Sequence, residues 1–161
     1  MSPSIHVASN VRDALKQGRP VVALESTVIS HGLPYPHNIE LARAMEQEVR
    51  DQGATPATVG IVGGMPTVGM DDAALQRFAR WEDERQRPAK ASRRDISYLM
   101  ASGGDGATTV AATMALAGMA GVQVFATGGI GGVHRGARDT WDISADLTEL
   151  ARTPVLVVCA G

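Results

Sequence analysis

The sequence predicts a layered α/β/α fold built on a mainly parallel sheet, and three observations carry that expectation. Short β-branched apolar runs read as strands buried on both faces, helical periodicities lie between them, and glycines gather where the apolar runs end. The runs are Val21 to Leu24, Val122 to Ala126 and Val155 to Val158, with a weaker one from Thr58 to Val62 that leads into Gly63-Gly64. No helical pattern follows the last run, so the sheet is expected to be incomplete at its C-terminal side. The 161 residues suit a single α/β domain, because independent domains most often hold roughly 100 to 150 residues.

Each helical pattern has its own signals. Leu41, Met45 and Val49 recur every fourth residue, with Asn38 as the expected N-cap and Gly53 as the stop. Asp71 and Asp72 open a second helix carrying Leu75, Phe78 and Ala79. Ser92-Arg93-Arg94-Asp95 fits a capping box ahead of Ile96 to Met100, the serine and the acid satisfying each other's free amides. Ala107 to Ala120 is almost all small residues, which predicts a buried, closely packed helix.

Composition excludes several classes of function. Fifteen basic against seventeen acidic residues leave a net charge of −2, which offers no electrostatic footprint for a nucleic acid polymer or an anionic membrane. A nucleotide would therefore need a local pocket. The single cysteine, Cys159, rules out an internal disulfide and every multi-cysteine zinc pattern, and it is expected to be a small core residue. No apolar stretch reaches the roughly 18 residues of a membrane span, and the N-terminus lacks the pattern of a secretory signal, so a cytoplasmic location is expected.

Three glycine-rich turns are candidates for chemistry, since bare amides at strand ends approach anions closely. They are Gly60 to Pro66, Gly103 to Thr109 and Thr127 to Gly136, and none has the GxGxxG or Walker A spacing. The second opens the small-residue helix, whose amides and two threonine hydroxyls, Thr108 and Thr109, suit an oxyanion. Lys90, Arg93 and Arg94 stand near it in sequence, although ordinary solvation is the favoured explanation for the two arginines. Glu25 directly follows a buried strand, where burial raises a carboxyl pKa toward the range of a general acid or base. His31 reads as a hydrogen-bonding loop residue. Asp139 to Asp146 packs three carboxylates and two hydroxyls into eight residues. That donor set suits a hard divalent cation, and equally a solvated loop in which Ser144 caps a helix.

Taken in order, ESTVISHGLPYPHN, GIVGG, the lysine of KASRRD, GATTVAATM, FATGGIGGVHRGA, DISADL and VVCAG resemble the pseudouridine-5'-phosphate glycosidase family, also known from indigoidine gene clusters. The resemblance runs from about residue 20 to the last residue and implies that the chain is the N-terminal half of the family's domain. It further implies reversible cleavage of pseudouridine 5'-phosphate to uracil and ribose 5-phosphate, a divalent metal, usually manganese, and a homotrimer. By the same resemblance Glu25 is the proton donor, and Lys90 and the backbone at Val110 bind substrate. Asp142 holds the metal, Ser144, Ala145 and Asp146 contact the substrate, and His134 lines the same pocket. Family members open the ribose and form an imine at C1' with a lysine that follows VVCAG after one intervening residue, a position past Gly161. A non-catalytic phosphosugar- or nucleotide-binding fragment is therefore the alternative expectation.

Overall fold

The computed structural model describes residues 4–161. In chain order the elements are β1 (His6–Val7), α1 (Ser9–Lys16), β2 (Val21–Leu24), α2 (Thr27–His31), α3 (His37–Asp51), β3 (Thr55–Val62), β4 (Met65–Val68) and α4 (Asp72–Ala79). There follow β5 (Ala89–Ala91), α5 (Ile96–Ser102), β6 (Gly106–Thr108), α6 (Val110–Met119), β7 (Val124–Thr127), α7 (Ala137–Thr140), α8 (Ala145–Leu150) and β8 (Leu156–Cys159). The main strand order is β1-β4-β3-β2-β7-β8, with β6 pairing both β3 and β5. Five pairings are parallel, whereas β3 runs antiparallel to β4 and to β6.

The sheet is thus mainly parallel, and the period-2 alternation along β3 explains its two layers of helix. Ala57, Val59 and Ile61 are fully buried in one cluster with Val11 and Ala14 of α1 and Met114 and Leu116 of α6. The intervening residues face the other way. Thr58 donates to Glu46 of α3 at 2.6 Å, and a Cβ on Gly60 would meet the sulfur of Met70 at 2.5 Å and the Phe78 ring at 3.1 Å. Phe78, Leu75, Ile39 and Ile29 form the second cluster from α4, α3 and α2. Burying each such side chain contributes roughly 1.5–3 kcal/mol, more than any exposed ion pair here.

Several elements depart from the sequence expectation. The small-residue helix begins at Val110, because Gly106–Thr108 is drawn into the sheet as β6. Asn38 is not an N-cap; it lies inside α3, buried, and its amide donates to the carbonyls of Ile29 and Ala79, both at 2.8 Å. The face of α3 turned to the core is Asn38, Ile39, Ala42 and Glu46. Leu41, Met45 and Val49 instead line an open apolar groove of about 520 Å³ with Leu24, Val28 and Ala126.

Strands β7 and β8 are likewise covered on one face only. Phe125 and Val155 are buried against the α6 side, but Leu156 and Val158 are 65% and 55% exposed. Cys159 is exposed rather than a core residue, because it ends this uncovered strand. The capping box does form, with Ser92 N–H donating to Asp95 at 2.9 Å, and it opens a short 3-10 turn leading into α5.

Candidate active site

The parallel pairing of β2 with β7 sets Leu24 opposite Ala126, so the next residues, Glu25 and Thr127, emerge side by side at the strand ends. The Thr127 hydroxyl donates a hydrogen bond to the Glu25 carboxylate. Beyond Glu25 the chain is stitched to the end of β6: Thr108 N–H donates to the Ser26 hydroxyl at 2.9 Å, and the Thr27 hydroxyl donates to the Thr108 carbonyl at 2.7 Å. Strand β5 lies parallel to β6 with Lys90 opposite Ala107, which carries the lysine to the same end. Strand ends from two parts of the sheet thereby meet at the start of α6.

They surround a cleft of about 800 Å³. Every residue to which the family resemblance gave a role lines it: Glu25, Lys90, Val110, His134, Asp142, Ser144, Ala145 and Asp146; Thr108, Asp139 and His31 do not. Thr109, Gly129, Gly131, Arg93 and Arg94 line it as well. The Glu25 pKa is raised above its ordinary value, chiefly by burial; the Thr127 hydrogen bond opposes the rise, Asp146 adds to it and Lys90 offsets part of it.

Asp146 is buried, and its carboxylate is committed to backbone. One oxygen accepts Ala111 N–H in the first turn of α6 at 2.9 Å, and the other accepts Gly131 N–H at 2.8 Å. A carboxylate therefore already occupies part of the α6 N-terminus expected to receive an oxyanion. Ser144 caps α8, its hydroxyl accepting Asp146 N–H at 3.2 Å. The two threonines of the α6 approach divide. Thr108 is consumed in the core by Val59 O and Thr113, whereas the buried Thr109 hydroxyl has no partner among the described residues.

The remaining charged residues differ in availability. Arg93 is engaged with the buried Glu149 at 2.5 Å, and Arg94 is almost fully exposed. Asp142 is exposed, with His134 Nδ1 at 4.0 Å from its carboxylate. No group of three or more His, Cys, Asp or Glu side chains that could hold a metal occurs among the described residues. This donor set fits a hydrated hard cation anchored through one carboxylate, with water or substrate oxygens completing its shell, and does not fit a closed protein cage.

Two glycine turns do other work. Gly63 and Gly64, both at positive φ, form the tight turn between β3 and β4, and their amides are already given to Asp105 and the Gly104 carbonyl. Gly103 closes α5 in a left-handed conformation. His31 is the last residue of α2 rather than a loop residue, and it makes the expected hydrogen bond, to the Pro88 carbonyl at 2.9 Å. Sequence reading missed Thr127 and the ion pair of Arg93 with Glu149. The sole sequence signal for Thr127 was its position at the end of an apolar run beside glycines.

A half-buried carboxyl, a lysine and a helix start gathered at the strand ends of an α/β sheet define a small-molecule site of the enzyme type. The chain belongs to the Indigoidine synthase A like protein family, whose model matches residues 10–161. It is 78% identical over 158 residues to the pseudouridine-5'-phosphate glycosidase of Roseiflexus sp. (strain RS-1), covering 98% of this chain and 50% of that protein. To the pseudouridine-5'-phosphate glycosidase of Escherichia coli (strain K12) it is 54% identical over 162 residues, covering 100% and 51%. Among solved structures it resembles the prealnumycin C-glycosynthase AlnA in complex with ribulose 5-phosphate, at 46% identity and a TM-score of 0.86, covering 98% of this chain and 49% of that one. An indigoidine synthase A-like protein from Thermotoga maritima matches at 36% identity and a TM-score of 0.83, covering 98% and 50%. The chain spans about half the length of the relatives it matches.

Proposed function

We propose that this chain supplies the Glu25 side of a pseudouridine-5'-phosphate glycosidase, which reversibly cleaves a carbon–carbon glycosidic bond to give uracil and ribose 5-phosphate. The observation that carries the reading is the convergence of Glu25, Lys90, Val110, Asp142 and Ser144–Asp146 on one cleft. The names of the relatives support the substrate, and the ribulose 5-phosphate in the AlnA complex supports a sugar phosphate as ligand class. Lys90 and the Val110 amide hold the phosphosugar, together with the Ser144 and Ala145 backbone. His134 closes the exposed side, and Asp146 fixes the glycine loop against α6.

A carbon leaving group presents no lone pair for an acid to protonate, so its departure requires an electron sink at C1' and a proton for the uracil carbon. Glu25 holds that proton, since burial favours its neutral form. The sink is an imine between ring-opened ribose and a lysine outside residues 1–161. A divalent cation, manganese in this proposal, would be held by Asp142 and would supply positive charge to substrate oxygens. A cytoplasmic homotrimer completes the assignment.

The test is uracil release from pseudouridine 5'-phosphate by this chain extended through the relatives' second half. Release that falls by two or more orders of magnitude in Glu25→Gln supports the reading. No release by the extended protein, with ribose 5-phosphate still bound, would favour a phosphosugar-binding role instead.

A further inference from the structure

We propose that Thr127 is the positioning residue of Glu25, its hydroxyl holding the carboxyl at the cleft and turning its single proton between Glu25 and the Gly129 carbonyl. The inference rests on the reading that Glu25 moves a proton, and it assigns a role to a residue outside the substrate and metal contacts. Thr127 Oγ1 contacts three polar atoms: the Glu25 carboxylate, Gly129 O at 3.3 Å and Gly129 N at 3.4 Å. A hydroxyl has one proton to donate and lone pairs to accept with. When Glu25 is ionised, Thr127 donates to it. When Glu25 is protonated, the carboxyl donates to Oγ1, and the threonine proton turns to the Gly129 carbonyl. Both protonation states of Glu25 thus keep a hydrogen bond, and the carboxyl stays in place as its proton comes and goes.

The surroundings make this contact decisive. Among the described residues, Thr127 is the one hydrogen-bond partner of the Glu25 side chain. On one side Glu25 borders the apolar groove of Leu24, Val28, Leu41 and Ala126, which Glu48 of α3 also lines. On the other side the charged groups that act on it are Asp146 of α8 and Lys90 of β5. The register that sets Leu24 against Ala126 delivers Thr127 to this position without any long side chain having to be ordered.

Both forms are bonded, but the bond to the ionised carboxylate is charge-assisted and the stronger of the two, so removing the threonine moves the Glu25 titration upward. The experiment follows the 13C carboxyl resonance of Glu25 with pH in the 161-residue chain, for the wild type, Thr127→Val, Thr127→Ala and Thr127→Ser. The expected result is an upward midpoint shift in Val and Ala and a wild-type midpoint in Ser, with circular dichroism unchanged. A Val or Ala midpoint at or below the wild-type value in a folded variant overturns the proposal, as does a Ser midpoint that moves with Val. Alanine covers the case in which valine prevents folding. The titration reads the Thr127–Glu25 coupling without any turnover, so a Glu25→Gln enzyme that retains activity would sink the proposed function and leave this result standing.

Discussion

Burial at the end of β2 makes Glu25 hold its proton more tightly in the folded chain than in the unfolded one. The folded state then binds more protons between the ordinary value of 4.5 and the raised one, so the stability contribution of Glu25 falls as pH rises through that window. Urea unfolding from pH 4 upward should show Glu25→Gln gaining stability relative to the wild type as pH increases; parallel curves would mean that Glu25 is not desolvated. Gly131 is a different kind of constraint, because a Cβ there would meet the Ser144 hydroxyl at 2.2 Å and Asp146 at 2.9 Å. Gly131→Ala is expected to destabilise by about 1–3 kcal/mol and to weaken ribose 5-phosphate binding, measured by denaturant melts and calorimetry. The Asp142 side chain is exposed, and its nearest charged neighbour among the described residues is His134, at 4.0 Å. Asp142→Ala should therefore keep its melting temperature and lose the manganese-dependent heat seen with ribose 5-phosphate, whereas an unchanged isotherm would remove Asp142 from the site.

At the scale of elements, α3 shows why an apolar stripe need not mark the core. Its inward face includes Asn38 and Glu46, and both are satisfied there: Asn38 by two carbonyls, Glu46 by Thr58 and by Arg50 at 2.7 Å. Periodicity scores these positions as polar, so Leu41, Met45 and Val49 dominated the reading. Asn38 joins α2, α3 and α4 through the Ile29 and Ala79 carbonyls. Asn38→Leu, which keeps the branched skeleton but is bulkier, would leave both carbonyls buried without a donor, and a loss of about 2–4 kcal/mol is expected in equilibrium unfolding. Stability within 0.5 kcal/mol of the wild type, on the scale of ordinary surface substitutions, would show that water reaches those carbonyls.

For the whole molecule, the uncovered face of β7 and β8 exposes Leu156 and Val158, and the groove of α3 leaves Leu41 and Met45 only half-buried. Parallel sheets are normally covered on both faces. The chain of residues 1–161 is expected to bind a hydrophobic dye, and an extension through the relatives' second half to abolish that signal. The same pair of proteins tests catalysis. Lys16 lies at the end of α1, away from the cleft, and Lys90 has the substrate-binding role in the proposed function. The 161-residue chain should neither trap ribose 5-phosphate with borohydride nor release uracil, and the extended one should do both. A borohydride adduct on Lys90 of the short chain would relocate the nucleophile.

What the sequence by itself determined was the fold class, the strands β2, β7 and β8 to within about two residues, the helices opened by Asp71 and Ser92, and, through its resemblance to a family, part of the set of residues that meet in the cleft. Those features depend on local alternation, on capping chemistry and on ordered motifs, all readable along the chain. Only the tertiary structure decided that β3 reverses at Gly63-Gly64, that Asn38 is a core residue and that Leu156 stands uncovered. It also decided that Asp146 rather than an external anion meets the Ala111 amide, and that Thr127 is the partner of Glu25. Apart from the local Gly63-Gly64 hairpin and the uncovered Leu156, each of these turns on a contact between segments distant in sequence, 102 positions apart for Thr127 and Glu25. The energy of such a contact depends on where the sheet register brings the two groups, and no local pattern encodes it.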